Sequence, residues 1–286
     1  MAEDYVPPRV WTWEKPDAEH MFSSLNRPIS GATHDTELPR GDHPLQVYSM
    51  GTPNGQKVTI LLEELLAAGH AGAEYDAWLV NILKADQFGS GFVDINPNSK
   101  IPGFVDWSSG EPVRVFESGA ILLYLAEKFG AFIPQGAKER AECYSWLFWQ
   151  MSTAPIVGGG FGHFFSIAPV KIKYAIDRFT MEAKRIFDVA DRHLAGARFF
   201  AGDEYSIADM AVFGWFNYFH GGTAYQGGPE FLSFQDYRNI DRWCREVGAR
   251  EPVKRGLVVN LPAEGFIEER HSAADIDAVM QAPSLS

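Results

Sequence analysis

The chain has 286 residues, about two domains at ~150 residues each, and its 46% hydrophobic against 22% charged composition is too apolar for a disordered protein. Twenty-five Lys and Arg against 37 Asp and Glu leave a net charge of −12, which argues against extended contact with a phosphate backbone, so no nucleic-acid partner is expected. Two cysteines, Cys143 and Cys244, build neither a disulfide framework nor a Cys-rich zinc site, and with no apolar leader core and no run of ~18 apolar residues a cytoplasmic protein without a membrane span is expected.

Residues 1–43 are punctuated by Pro7, Pro8, Pro16, Pro28 and Pro39, with Trp11, Trp13 and Phe22 between them. Aromatics at that density predict an ordered arm packed on the body; a floppy leader is the alternative. Leu45–Met50 reads as a strand and Gly51–Gly55 as a loop. Over Lys57–Ala68 the positions Val58, Ile60, Leu61, Leu62, Leu65 and Leu66 predict a helix with a wide buried face, stopped by Gly69. Glu74–Val80 reads as a second strand. Phe104–Trp107 and Val113–Phe116, joined across Ser108-Ser109-Gly110, read as a hairpin. A helix follows, with Ser118 at its start and Gly130 at its end.

Strand, helix, strand, hairpin, helix is the order of a thioredoxin-like α/β domain, here residues 44–134. An all-helical domain is predicted over 135–256. Its clearest helix is Val170–Leu194, where Ile172, Ala175, Ile176, Phe179, Ala183, Ile186, Phe187, Ala190 and Leu194 form the core stripe. Ser206 and Asp209 predict a capping box for the next helix, with Tyr205 and Met210 as a hydrophobic staple. Residues 257–286 read as a mostly irregular C-terminal extension, either a second arm or partly disordered.

Four places can carry chemistry. In Gly51-Thr52-Pro53-Asn54-Gly55, after the first strand, Thr52 offers a hydroxyl and Asn54 an amide; a turn with a capping Asn is the alternative. Ile101-Pro102 precedes a strand. A cis peptide there would present the Ile101 main chain to an extended peptide, whereas base rates favour a trans turn. At Phe116-Glu117-Ser118-Gly119, Ser118 and free N–H groups suit a carboxylate and Glu117 an ammonium, as in an α-amino acid head group; plain capping is the alternative. Lys171, Arg178 and Arg185 form a basic row, with Tyr174 and Met181 between, that either meets a ligand carboxylate or is a solvated face. The run Gly158-Gly159-Gly160-Phe161-Gly162 lacks dinucleotide-binding spacing, His163 reads as structural, and Cys143 reads as a small buried hydrophobe.

Taken together these motifs resemble the cytosolic glutathione transferases, and within them the bacterial nu class of glutathione-dependent disulfide-bond oxidoreductases. The resemblance runs over nearly the whole chain. It is carried by Val10-Trp11-Thr12-Trp13, Asn26-Arg27-Pro28, Thr52-Pro53-Asn54, Asn96-Pro97-Asn98-Ser99-Lys100-Ile101-Pro102, Glu117-Ser118, the 158–163 stretch and Ala168-Pro169-Val170-Lys171. It implies a homodimer, glutathione as co-substrate at one or two molecules per site, and no metal. It implies that Thr52 and Asn54 face the glutathione sulfur, that Ile101 pairs with the cysteinyl unit at a cis-proline turn, and that Glu117 and Ser118 hold the γ-glutamyl head. Asn26, Pro53, Gln87, Gln150 and Arg178 match further contacts, although Gln150 stands one place earlier than the family pattern expects.

A free thiol with pKa ~8.5 is mostly protonated at neutral pH, and donors at the sulfur favour the nucleophilic thiolate. Two bound glutathiones supply both sulfurs of a disulfide exchange, so no protein cysteine is required. The expected activity is reduction of a small disulfide, extending to organic hydroperoxides. Conjugation of electrophiles and a non-catalytic binding or scaffold role are the alternatives.

Overall fold

The computed structural model describes residues 5–14 and 27–281. The candidate Asn26, like Pro16 and Phe22, lies outside them. Four strands, β1 (Leu45–Ser49), β2 (Tyr75–Leu79), β3 (Gly103–Asp106) and β4 (Val113–Phe116), form one sheet in the order β2-β1-β3-β4. β1 and β2 are parallel, and β3 runs antiparallel to both β1 and β4. The helices of this half are α1 (Gly55–Ala67), α2 (Ser90–Ile95) and α3 (Ser118–Phe129). Gly130 closes α3 at φ 63°, a left-handed position that suits a residue without Cβ.

Among the described residues seven further helices follow. They are α4 (Ala137–Pro155), α5 (Lys173–Leu194), α6 (Ile207–His220), α7 (Gly228–Phe231), α8 (Arg238–Gly248), α9 (Glu251–Leu257) and α10 (Ala273–Met280). Between α4 and α5 the chain continues as a π-helical stretch, Ile156–Ile167. The capping box of α6 forms as its sequence dictates: Ser206 Oγ accepts from the Ala208 N–H, and Asp209 accepts from the Ser206 N–H.

α1 lies between the two halves, packed against α3, α6 and α9. Its residues from Lys57 to Leu65 are all buried, polar ones included. A helix covered on every side needs apolar residues or paired charges all round, and α1 uses both. Glu63 and Glu64 are almost fully buried and face arginines from later in the chain: Arg250 forks onto Glu64, and Arg255 and Arg270 reach Glu63.

Two expectations are corrected, and for the C-terminal extension one of the two alternatives holds. Residues 5–14 are exposed throughout, Trp11 and Trp13 included, so this part of the arm does not pack on its own body; among the described residues the Arg27 guanidinium lies over the Phe88 ring, and from Thr33 onward the arm hydrogen-bonds to the domain, at Phe88, Ser90 and Tyr48. Residues 257–281 are ordered. Arg270 pairs its main chain with Ala77 at the edge of β2, its fully buried guanidinium meets Glu63, Glu74 and the Tyr75 carbonyl, and α10 follows. Finally, α5 begins at Lys173, leaving Ile172 exposed ahead of it.

Candidate active site

A cleft of about 620 Å³, of a size that holds small ligands, opens where the first sheet strands and α3 meet the helical half. Its lining includes Thr52, Pro53, Asn54, Gln87, Ile101, Glu117 and Ser118, which come from four separate sequence segments. The fold unites them because the loop after β1, the turn before β3 and the start of α3 share one end of the sheet. Gln150, Arg178 and His163 do not line it.

The Thr52-Pro53-Asn54 loop is held by its own contacts. Thr52 Oγ1 accepts weakly from the Gly55 N–H at 3.4 Å and keeps its own proton for the cleft. Asn54 sits at the N-cap of α1, yet its side chain makes no capping bond, contrary to the turn-and-cap reading. Its Oδ1 instead accepts from Lys57 Nζ at 2.8 Å and from Trp215 Nε1 at 2.9 Å.

The Ile101-Pro102 peptide is cis, as the resemblance implies and against the trans turn that base rates favour. Glu117, not Ser118, is the N-cap of α3, at φ 73°, a conformation costly for a residue with a Cβ and held here at the edge of the cleft. Its exposed carboxylate makes no side-chain hydrogen bond among the described residues. Ser118 is the first helical residue, and plain capping does not describe it: its Oγ accepts from Lys57 Nζ at 3.3 Å and donates to Met151 Sδ at 3.6 Å.

Two buried polar atoms in the cleft-lining residues have no hydrogen-bond partner among the described residues, Gln87 Oε1 and Ser99 Oγ. An unpaired buried acceptor costs ~1–3 kcal/mol, so a ligand able to donate to it recovers that cost.

Gln150 and Arg178 lie elsewhere. Gln150 is buried and accepts from Lys57 Nζ at 2.6 Å, while the next residue, Met151, occupies the cleft wall. Arg178 is half exposed on α5 and pairs with Glu182 at 2.8 Å; Arg185 pairs with the same Glu182, and Lys171 bonds the Phe165 and Ser166 carbonyls. Within the row Arg178 and Arg185 thus share Glu182, while Lys171 donates to main-chain carbonyls.

Lys57 and Trp215 escaped the sequence reading. Lys57 is fully buried, and that burial lowers its pKa from 10.5 to about 7, with the Glu117 carboxylate acting in the opposite sense. The signal was present: Lys57 stands one turn before Leu61 on the buried side of its helix. The glycine-rich run also gains an explanation. A Cβ on Gly158 would stand 2.4 Å from the Trp215 ring, and one on Gly162 2.1 Å from the Tyr225 ring. Those glycines admit two of the aromatic residues that line the cleft.

Cys143 and Cys244 are both buried and unpaired, outside the cleft lining, and burial raises both thiol pKa values. Among the described residues no group of three or more His, Cys, Asp or Glu is placed to hold a metal ion, and no helix is long and apolar enough to cross a membrane.

This combination of a four-stranded mixed sheet, a cis-proline turn and a cleft against a helical half defines a glutathione transferase architecture. The glutathione S-transferase N-terminal domain model matches residues 43–127 and the C-terminal domain model residues 173–246, and the chain belongs to that family. It is 58% identical over 276 residues to Disulfide-bond oxidoreductase YghU of Escherichia coli (strain K12), covering 96% of this chain and 95% of that one. The crystal structure of glutathione transferase YghU from Streptococcus pneumoniae, complexed with glutathione, superposes with a TM-score of 0.86 at 52% identity, covering 88% of this chain and 97% of that one. A glutathione transferase from Burkholderia graminis, with two glutathione molecules bound per subunit, follows at TM-score 0.68 and 40% identity, covering 75% and 88%.

Proposed function

We propose that this enzyme reduces small disulfides with glutathione and that the only reacting sulfurs are those of its substrates. The observation that carries the reading is the pairing of free donors in the cleft with two protein thiols that burial keeps protonated and away from it.

Thr52 Oγ–H and the Asn54 amide donate to the glutathione sulfur and favour its thiolate; neither group takes a proton at neutral pH. Ile101, whose main chain has no hydrogen-bond partner among the described residues, pairs with the cysteinyl unit. Glu117 accepts from the γ-glutamyl ammonium, the amides at the start of α3 hold its carboxylate, and Gln87 Oε1 accepts from a ligand N–H. The thiolate attacks one sulfur of the substrate disulfide, forming a mixed disulfide and expelling the other half as a thiolate. A second glutathione thiolate then attacks the glutathione sulfur of that mixed disulfide, yielding oxidised glutathione and the second reduced thiol. The two glutathiones bound per subunit in the Burkholderia graminis relative support a site able to hold both reductants. The same thiolate reduces organic hydroperoxides by attack on the terminal oxygen, which breaks the O–O bond and releases the alcohol; the second glutathione then condenses with the resulting sulfenic acid to give oxidised glutathione and water. The chain works in the cytoplasm as a homodimer, a reading supported by the exposed Val10, Trp11 and Trp13 of the arm.

The test is a double variant, Cys143→Ser with Cys244→Ser, assayed for glutathione-dependent reduction of a small disulfide. Turnover within about twofold of the unsubstituted protein is expected. A folded but inactive variant would place a protein sulfur in the reaction and end this mechanism.

A further inference from the structure

We propose that Lys57 and Trp215 are positioning residues: by donating together to Asn54 Oδ1 they hold the Asn54 carboxamide with its nitrogen toward the cleft, and so make Asn54 a donor to the glutathione sulfur. The inference rests on the glutathione reading above and adds two residues which that reading does not use.

The argument begins with what each atom can do. An indole nitrogen and a lysine Nζ both approach one side-chain atom of Asn54, at 2.9 and 2.8 Å. Indole N–H is a donor only, and the ammonium likewise. The shared atom must therefore be the carbonyl oxygen, since an amide nitrogen there would face two donors. With the oxygen fixed, the –NH₂ must point the other way, and it makes no hydrogen bond to another described residue. Asn54 lines the cleft, and Trp215 lines it beside Asn54.

Lys57 is built for this task. Its three acceptors, Asn54 Oδ1, Ser118 Oγ and Gln150 Oε1, match the three protons of an ammonium and tie together the loop after β1, the start of α3 and the end of α4. The charged group facing it is Glu117; from α4 it meets Gln150, and from α6 Gly214, both neutral. Gln150, one place out of the family pattern, thus gives its Oε1 to the lysine. Burial lowers the lysine pKa to about 7, and the neutral amine still has two protons to share among its three acceptors.

The experiment follows the ultraviolet absorbance of the thiolate of bound glutathione against pH, with calorimetric glutathione binding measured on the same samples. Lys57→Met and Trp215→Phe are each expected to move the thiolate midpoint upward and cut the thiolate fraction at pH 7 by about tenfold. In an Asn54→Ala background the same substitutions are expected to change it less than about twofold, because their target is gone. A merely structural loosening of the cleft would weaken glutathione binding without moving the midpoint. Should Lys57→Met fail to fold, Trp215→Phe, which keeps a ring in place, carries the comparison alone. Glutathione binding with an unmoved midpoint in the folded variants overturns the inference and leaves the glutathione reading intact. No glutathione binding by the unsubstituted protein overturns that reading and this inference with it.

Discussion

Gly214 controls how closely the helical half approaches the loop that carries Thr52 and Asn54. A Cβ at this position would stand 2.1 Å from the Pro53 carbonyl oxygen, whereas real Cβ contacts do not fall under 3.0 Å. Gly214→Ala therefore drives loop and helix apart by about 0.9 Å, since the obstruction is backbone and cannot rotate away. Misplacement of ~1 Å at a reacting centre costs about 10²-fold in rate. The effect on stability is smaller: overpacking costs ~1–3 kcal/mol, and alanine in a helix interior returns ~1 kcal/mol relative to glycine. At ~2–4 °C per kcal/mol for a chain of this size, Tm falls by less than about 8 °C. The assay is kcat for glutathione-dependent disulfide reduction at saturating glutathione, with Tm from circular dichroism. Gly196→Ala is the control, because a Cβ there meets only the His193 carbonyl oxygen at 4.0 Å. Turnover of Gly214→Ala within about threefold of the control would refute the claim that the position of this loop limits the reaction.

Two other outcomes concern stability. Arg270→Ala removes a fully buried guanidinium from Glu63, Glu74 and the Tyr75 carbonyl; loss of one partner from a buried ion pair costs ~3–5 kcal/mol, and a urea midpoint indicating a loss under ~1 kcal/mol would contradict that account. Lys57 gives a pH signature in the ligand-free protein. Its pKa is about 7 in the folded chain and 10.5 as a free side chain, so between those values the unfolded chain holds a proton that the folded chain has shed. Stability relative to Lys57→Met is therefore expected to rise with pH from about 7 to 10.5, by up to ~1.4 kcal/mol per pH unit, and to lose that gain below pH 7. Denaturation of both proteins at pH 6, below the window, and at pH 7.5 and 9, within it, checks this, and a difference independent of pH contradicts it.

The sheet and its flanking helices were legible because their signals are local. Alternation in Val113–Phe116, the periodic leucines of α1 and the Ser206–Asp209 capping box each settle an element within a few residues. The cleft was legible through the family resemblance, since taken singly the Thr52, Ile101 and Glu117 motifs each leave a plain turn or cap as the alternative. What was hidden depends on long-range partners. Arg270 reads as an ordinary surface charge until Glu63 and Tyr75 are brought to it by the fold. The exposed stretch 5–14 looks like packing material from its aromatics alone, because composition does not say what surface it meets. For Asn54 the sequence leaves a capping role open beside the amide donor, and nothing nearby in sequence reveals that Trp215, far along the chain, donates to its oxygen. The run 158–162 lacks dinucleotide-binding spacing, and the positions of Trp215 and Tyr225 show why Gly158 and Gly162 lack side chains.

The central claim is that the small peptide brings the reactive sulfur and the protein ionises it through a hydroxyl and a carboxamide. A crystal structure with glutathione bound tests it directly. The expected result is a sulfur within hydrogen-bond distance of both Thr52 Oγ1 and Asn54 Nδ2; a sulfur out of reach of either, or glutathione bound outside the cleft, contradicts the account.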